Sequence, residues 1–219
     1  PVIVPRDQVT LMDASTYQMF SIATNMIPFV GHDDANRALM GSNMQKQATP
    51  VLLPEAPLVA TGIEGHAARS TGRLVIAEEA GEVTYVDARK IVVTNKEGKK
   101  KDYYLQGLTQ TNQNSAFMQR PSVRIGDKVK KSDVLADNSS TDRGQLALGQ
   151  NVRVAFMSWN GANYEDAIII SERLVEDAKF TTVHIEDFDC VVRDTKLGPE
   201  VTTHDIPNVG EMRIKNLDE

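Results

Sequence analysis

The sequence contains a single cysteine, Cys190, so it cannot form an internal disulfide bond. One cysteine in a chain of this size is typical of a protein that works in a reducing compartment. Because Cys190 lies in a short apolar run, DCVV, we expect its thiol to be buried and unreactive.

Long apolar runs are also missing. No stretch approaches the roughly 18 apolar residues that a membrane-spanning helix needs. The first residues, PVIVPRDQV, lack the basic-then-apolar pattern of a signal peptide and begin without methionine, so we expect a piece of a longer protein. With 41% hydrophobic and 25% charged residues, the composition favours an ordinary folded domain over a disordered or fibrous chain.

An excess of positive charge is absent as well. The net charge of −6 argues against a free-standing nucleic-acid-binding protein, although it allows a nucleic-acid site within a larger assembly. The sequence has no P-loop, no dinucleotide fingerprint and no G-x-S-x-G elbow. Its four histidines are scattered, and none stands at metal-ligand spacing.

What is present is a helical beginning followed by strand-like sequence. Helical spacing predicts a helix over 14–25, capped by Asp13, with Met19, Ile22, Ala23 and Met26 on its inner face. A proline-rich linker over 50–57 follows a second predicted helix, and alternating patterns then replace the helical period. The predicted strands are 73–77, 82–87, 90–94, 102–105, two within 122–137, 151–157, 168–170 and 181–193. We predict loops over 108–121, 138–144 and 194–210, and a short helical turn over 171–179.

The second predicted helix, 35–47, has two distinct sides. Leu39, Met40 and Met44 would form its apolar side. Its polar side carries Asn36, Asn43 and Gln47, with Arg37 beside them. A guanidinium beside amide side chains near a helix start can bind phosphate oxygens through several donors at once, so one interpretation is an anion-binding face, although Asp33 and Asp34 work against a bare anion unless a metal or another chain intervenes. The alternative is an ordinary amphipathic helix with a solvated polar side.

The stretch 149–172 offers a second candidate site. A strand over 151–157, a loop over 158–163 and a short strand over 168–170 would place Glu165 and Asp166 where loop gives way to strand. Adjacent carboxylates suit Mg²⁺, which keeps several waters and takes few protein ligands. The alternative is a solvated pair at a strand edge. The pair alone cannot form a two-metal catalytic centre.

Three blocks of the sequence resemble one known family. GQNVRVAFMSWNGANYEDAIIISERLV at 149–175, HDDANRALMGSNMQKQA at 32–48 and RDTKLGPE…DIPNVGE at 193–211 are similar to the bacterial-type DNA-directed RNA polymerase β subunit, in the same order. The resemblance extends over about residues 10–217.

This resemblance implies a mainly β fold with a short α-helical N-terminal part, that is, an α+β protein with barrel or sandwich elements. It implies a helical fork-region segment at 1–50 and a β-rich hybrid-binding region at 51–144. Residues 145–219 would form part of a double-psi β-barrel that leads to the flap.

The resemblance also implies site residues for a nucleotidyltransferase. Arg37 falls on the family's nucleotide-contacting arginine, and Asn36, Asn43 and Gln47 fall on residues that line the path of substrate or RNA. Glu165 and Asp166 fall on an acidic pair close to the second Mg²⁺, mostly through water. The catalytic aspartates belong to the partner subunit, so the isolated chain is expected to be inactive.

The partners implied in the same way are the polymerase β′ subunit, the α dimer and a sigma factor, together with template DNA, nascent RNA and nucleoside triphosphates. No membrane is involved, and the implied location is the bacterial cytoplasm, at the nucleoid. Two alternatives are a non-catalytic β-rich binding module and a metal-dependent hydrolase that uses Glu165 and Asp166. The hydrolase is disfavoured because no recognisable motif supplies further metal ligands.

Overall fold

The computed structural model describes residues 2–217 of the chain, which divides into two compact units, Pro1–Ile185 and Glu186–Glu219. Small antiparallel sheets and a few short helices make up the first unit. The predicted α+β class, with more sheet than long helix, is therefore confirmed. The division into segments 1–50, 51–144 and 145–219 remains a prediction.

The N-terminal part is helical, in short pieces. Among residues 2–185 the helices are three 3-10 helices (Arg6–Gln8, Thr16–Met19, Val30–His32) and α1 (Ile22–Asn25), α2 (Ala35–Lys46), α3 (Glu64–Ser70) and α4 (Arg173–Glu176). The last of these lies within the helical turn predicted over 171–179.

The predicted helix over 14–25 is wrong, because two serines interrupt it. Ser15 and Ser21 have extended backbones and act as N-caps of separate short helices, accepting N–H bonds from Tyr17 and Thr24 at 3.2 and 3.3 Å. Serine competes with the helix by bonding nearby backbone groups, which favours caps over helix interiors. The expected inner face is not formed either, since Met19 is 81% exposed.

The second predicted helix is confirmed as α2. Asp34 caps it, because its carboxylate accepts the N–H of Asn36 at 3.1 Å. The apolar side expected from the spacing is not buried, however. Leu39, Met40 and Met44 are exposed, whereas Ser42 is buried and donates its hydroxyl to the carbonyl of Leu39.

The helix α3 was missed by the sequence patterns, although its start carries a signal. Thr61 and Glu64 have the spacing of a capping box. The buried Glu64 carboxylate accepts the N–H and hydroxyl of Thr61 at 2.9 and 3.1 Å and the N–H of Gly62 at 2.7 Å. Thr61 and Gly62 lie just before the first helical residue, so these bonds fix the turn that leads into α3.

The largest sheet has four antiparallel strands in the order β4-β3-β2-β8. Its strands are β2 (Gly81–Val86), β3 (Lys90–Thr94), β4 (Lys100–Tyr104) and β8 (Lys128–Val129). The predictions over 82–87 and 90–94 are confirmed almost residue for residue. The strand predicted over 102–105 begins two residues earlier, at Lys100.

The remaining sheets of the first unit are small. They are formed by β1 (Val75–Ile76), β5 (Thr109–Gln110), β6 (Ala116–Phe117), β7 (Arg120–Pro121), β9 (Val134–Asp137), β10 (Thr141–Asp142) and β11 (Gln145–Leu146), in the orders β1-β9-β7, β5-β6 and β10-β11. Three of these short strands, β5 to β7, lie in the predicted loop 108–121, which therefore contains more structure than its polar composition indicates.

One apolar core lies between the four-stranded and the three-stranded sheet. Val83, Ile91 and Leu135 are fully buried, and they come from β2, β3 and β9. Around them pack other buried residues, from these sheets or directly after one of their strands: Ala77, Val93, Tyr103, Leu105, Val129 and Ala136. The core thus joins the four-stranded sheet to the central strand of the three-stranded one.

A buried carboxylate closes the loop after β9. Asp137 accepts the N–H groups of Gly144 and Arg143 at 2.8 and 3.1 Å and the hydroxyl of Thr141 at 3.3 Å. Arg143 and Gly144 both have positive φ, 52° and 72°, which turns the chain back toward the carboxylate. The polar loop predicted over 138–144 is therefore a compact turn that contains β10.

The strands predicted over 151–157, 168–170 and 181–193 are wrong for this structure. Between β11 and residue 193 the chain forms no strand, only isolated bridges at Gly149 and His184. A strand needs a neighbouring backbone over several residues, and these segments have at most an isolated bridge, so alternating side chains such as Phe156, which is 98% exposed, remain in solvent. The partial double-psi barrel stays a prediction.

The second unit is small. Within residues 186–217 it contains the hairpin β12 (Asp194–Thr195) with β13 (Gly198–Pro199), and α5 (Glu211–Ile214). The hairpin falls in the predicted loop 194–210. Cys190 is exposed, so the expectation of a buried thiol is wrong, because the run around it is not incorporated in a sheet.

The close approach of β2 to β3 at Gly81 gives a test of this fold. A Cβ at Gly81 would lie 2.5 Å from the carbonyl oxygen of Thr94 and 2.7 Å from Val93 Cγ1. Because a backbone oxygen cannot move aside cheaply, we expect Gly81→Ala to lower the free energy of unfolding by about 1–3 kcal/mol. Urea denaturation measures this. The control is Gly107→Ala, where nothing lies within 4 Å of the new Cβ. Equal effects of the two substitutions would contradict the packing described for β2.

Candidate functional site

The first candidate site lies on α2, whose N-terminal turn carries Asn36 and Arg37. Both side chains are exposed. The guanidinium of Arg37 has a weak contact, Nη1 to Met40 Sδ at 3.5 Å, and within residues 2–217 it forms no ion pair. Arg37 therefore keeps most of its donors available, even though the capping Asp34 lies at the same helix end.

Asn43 and Gln47 lie farther along the same helix and are exposed as well. The Asn43 side-chain oxygen accepts a bond from Lys46 Nζ at 3.4 Å. Gln47 is the C-cap, and its backbone N–H donates to the carbonyl of Met44 at 3.1 Å. The structure thus places all four predicted contact residues on one solvent-facing helix, two at each end.

The second candidate site, Glu165 and Asp166, lies in a turn. The loop before it is confirmed where it was predicted: the Asn163 side chain accepts the Trp159 N–H at 2.8 Å and donates to the carbonyl of Met157 at 2.7 Å. Glu165 has a left-handed backbone, with φ of 56°, directly after that loop. Its carboxylate and that of Asp166 are exposed and form no ion pair within the described residues.

No hydrogen bond or ion pair among residues 2–217 joins α2 to the Glu165–Asp166 turn. The meeting of these two elements around one ligand therefore stays a prediction. The same part of the chain contains no group of three or more histidine, cysteine, aspartate or glutamate side chains able to hold a metal ion. A metal at the acidic pair would thus need water or further ligands to complete its coordination.

A third polar centre, around Glu55, was missed by the sequence patterns. One carboxylate oxygen of Glu55, Oε2, accepts the backbone and side-chain N–H groups of Asn151 at 3.1 and 3.3 Å. Its other oxygen, Oε1, accepts the ammonium of Lys179. The Lys179 bond, followed by the Asn151 N–H, lowers the pKa of Glu55 below its ordinary value of 4.5. Because these partners lie far from Glu55 in sequence, no local motif marks the cluster.

Glu55 also borders a cleft of about 240 Å³ beside the C-terminal half of α2. The cleft has polar walls at Gln45, Glu64 and Asn151 and apolar walls at Met26, Pro28, Pro57, Val59, Leu146 and Leu148. The side-chain oxygen of Gln45 is buried without a protein donor. A bound water would satisfy such an acceptor.

No helix among residues 2–217 combines the length and the apolar character needed to cross a membrane.

Comparison with known proteins identifies the family. The model of RNA polymerase Rpb2, domain 6, matches residues 76–219. The DNA-directed RNA polymerase subunit beta of Caldicellulosiruptor bescii is 54% identical over 216 residues, covering 99% of this chain and 18% of that protein. The same subunit of Dinoroseobacter shibae is 53% identical over 223 aligned positions, covering 99% of this chain and 16% of that protein.

The chain therefore spans less than a fifth of the length of these relatives, and nearly all of it aligns with them. The match is consistent with the three sequence blocks that resemble the polymerase β subunit. The chain belongs to the RNA polymerase Rpb2, domain 6, family, and its sequence is that of a segment of a bacterial RNA polymerase β subunit.

Proposed function

We propose that this chain supplies nucleotide- and RNA-contacting side chains to DNA-templated RNA synthesis by a multisubunit RNA polymerase. The observation that carries the proposal is the exposed guanidinium of Arg37 at the start of α2, which has no carboxylate partner within the described residues. Such a group offers planar, permanently charged donors that match phosphate oxygens. The incoming nucleoside triphosphate is the ligand that it would bind.

The other α2 residues would act along the same surface. Asn36 lies one residue before Arg37 and adds an amide to the phosphate-facing end of the helix. Asn43 and Gln47, at the other end, would line the path of substrate or of the RNA 3′ end. In phosphoryl transfer most of the protein's contribution is positioning and charge neutralisation, so several weak polar contacts along one rigid helix suit the task.

The acidic pair would help to place Mg²⁺ carried by the nucleotide. Glu165 and Asp166 fit such an ion, because the two carboxylates are adjacent and exposed and form no ion pair with any residue of 2–217. The ion itself would neutralise the charge of the triphosphate. Two protein carboxylates leave most of its coordination to water and phosphate, which is how proteins usually hold Mg²⁺.

The assembly proposed around the chain is the one implied by the family. The catalytic aspartates lie on the β′ subunit, and the α dimer and a sigma factor complete the enzyme, which acts on template DNA and nascent RNA in the bacterial cytoplasm. The isolated chain is accordingly inactive. The many exposed apolar side chains between Val152 and Ile170 support a role within a larger assembly, because such patches mark interaction surfaces.

Removal of the Arg37 guanidinium tests the nucleotide contact. In the complete polymerase we expect Arg37→Ala to raise the apparent KM for nucleoside triphosphates about tenfold, the size expected for one hydrogen bond to a charged group. Steady-state RNA synthesis at varied nucleotide concentration measures this. The matched control is Arg69→Ala, which removes another exposed helical arginine, from α3. An unchanged KM for Arg37→Ala would remove the role proposed for this residue.

Neutralisation of the acidic pair tests the metal role separately. We expect Glu165→Gln with Asp166→Asn to raise the Mg²⁺ concentration for half-maximal RNA synthesis about tenfold, as for groups that act on a metal from outside its inner coordination shell. A matched control, Glu176→Gln with Asp177→Asn, neutralises another exposed adjacent pair in the same segment. If both double variants titrate with Mg²⁺ like the unmodified enzyme, the metal role is refuted.

A further inference from the structure

The acidic pair lies on a segment that is fastened to the rest of the first unit only near its ends. Residues 152–178 form no hydrogen bond or ion pair with described residues outside 152–181. Nearly all of their side chains are exposed, and the one regular element among them is α4. The position of Glu165 and Asp166 within this unit therefore depends on how the two ends of the segment are held.

Both ends of the segment meet at one short stretch of the linker, residues 52–58. At the first end, the N–H of Glu55 donates to the carbonyl of Gly149 at 3.0 Å, and the N–H of Leu58 donates to the Asn151 side chain at 3.2 Å. At the second end, the N–H of Leu52 donates to the carbonyl of Thr181 at 2.8 Å.

The Glu55 side chain joins the two ends through a single carboxylate. Oε2 accepts the N–H groups of Asn151, and Oε1 accepts the ammonium of Lys179. Lys179 is fixed further by Gln150, whose side-chain oxygen accepts a second bond from the same ammonium at 3.2 Å. The Asn151 amide also donates to the carbonyl of Ala56 at 2.9 Å, which orients it toward the linker.

The linker itself is anchored to the folded core. The N–H of Ala56 donates to the carboxylate of Asp142 at 3.0 Å, and Asp142 belongs to β10, in the turn that the buried Asp137 closes. A path of hydrogen bonds thus runs from the core through Asp142 and Ala56 to Glu55, and from Glu55 to both ends of the segment.

We propose that Glu55 is a positioning residue for the acidic pair, because its carboxylate clasps the two ends of the 151–179 segment and sets where Glu165 and Asp166 lie. This inference rests on the proposed function in so far as it assigns the acidic pair to Mg²⁺. Lys179 and Asn151 are the two arms of the clasp. Bonds between charged partners with satisfied geometry are among the stronger hydrogen bonds in proteins, which suits this task.

The first test measures the stability of the hydrogen bonds around Glu55 directly and does not depend on the proposed function. In the complete polymerase, hydrogen exchange measured by mass spectrometry reports on the amides of Leu52, Glu55 and Leu58, which all donate to the ends of the segment. We expect Glu55→Ala to accelerate amide exchange about tenfold in the peptide that contains residues 52–58. Glu78→Gln is the matched control, because it removes another glutamate–lysine ion pair, with Lys101 in β4. Unchanged exchange in Glu55→Ala would overturn the proposal.

The second test measures how the loss of the Glu55 contacts affects Mg²⁺–nucleotide binding at the acidic pair. We expect Glu55→Ala to raise the apparent KM for Mg²⁺–nucleotide about threefold while kcat changes less than about twofold, since a displaced carboxylate weakens binding first. Lys179→Met should act in the same direction. Lys179→Arg keeps the charge and should stay within about twofold of the unmodified enzyme. Because both residues act through one clasp, the double variant Glu55→Ala with Lys179→Met should be no worse than the Glu55 variant alone.

The outcomes separate the two proposals. If neutralising Glu165 and Asp166 shifts the Mg²⁺ requirement but Glu55→Ala does not, the positioning role fails and the metal role stands. If neutralising the pair has no effect while Glu55→Ala still loosens residues 52–58, the metal role fails and the clasp remains as a structural feature. Additive effects of the Glu55 and Lys179 variants on KM would overturn their action through a shared contact.

Discussion

Burial of a few aliphatic side chains between two small sheets is the constraint on which the rest of the first unit depends. Val83, Ile91 and Leu135 are the largest fully buried side chains of the described residues. Val83 and Ile91 come from the consecutive strands β2 and β3, whereas Leu135 comes from β9, much later in the chain, so their contact fixes the four-stranded sheet against β9. Because close packing fixes the position of β9, it also fixes the position of Asp137 at the end of this strand. The turn that Asp137 closes, and β10 within it, come next in the chain and are placed by the same packing.

Away from this core, carboxylates that accept backbone N–H groups hold the chain in place. Asp137 closes the turn after β9, Glu64 holds the turn that leads into α3, and Glu55 fastens the segment that carries the acidic pair. Burial tends to raise the pKa of Glu64, but the N–H groups of Thr61 and Gly62 outweigh it and lower the pKa below 4.5. The pKa of Glu55 is also lowered, by Lys179 first. The stabilisation that Glu55 and Glu64 contribute is therefore present above about pH 4.5, and it is lost as the pH falls through the pKa values of these two carboxyls in the folded state.

The parts of the fold that sequence patterns predicted are those with local causes. Helix α2 has its cap one residue before its start, and β2 and β3 alternate and are joined by a short connection, so neighbouring residues decide both. The strand-like segments around Phe156 and Ile169 show the opposite case. The first alternates and the second is a run of β-branched residues, but a strand forms only beside another backbone, and here none runs alongside. The Glu55 clasp could not be predicted, because its partners lie at sequence separations of 96 and 124 residues.

The exposure of the acidic pair favours water-mediated over direct binding of a metal ion. Glu165 and Asp166 are surrounded by solvent and are not hydrogen-bonded to other described side chains, so they keep their hydration. A cation that sheds water reluctantly can approach such carboxylates without either side losing its water shell. Direct ligation would instead call for several convergent oxygens held rigidly by their neighbours. A water-mediated role would require less exact geometry, which suits a turn carried on a segment whose two ends, Asn151 and Lys179, are joined by Glu55.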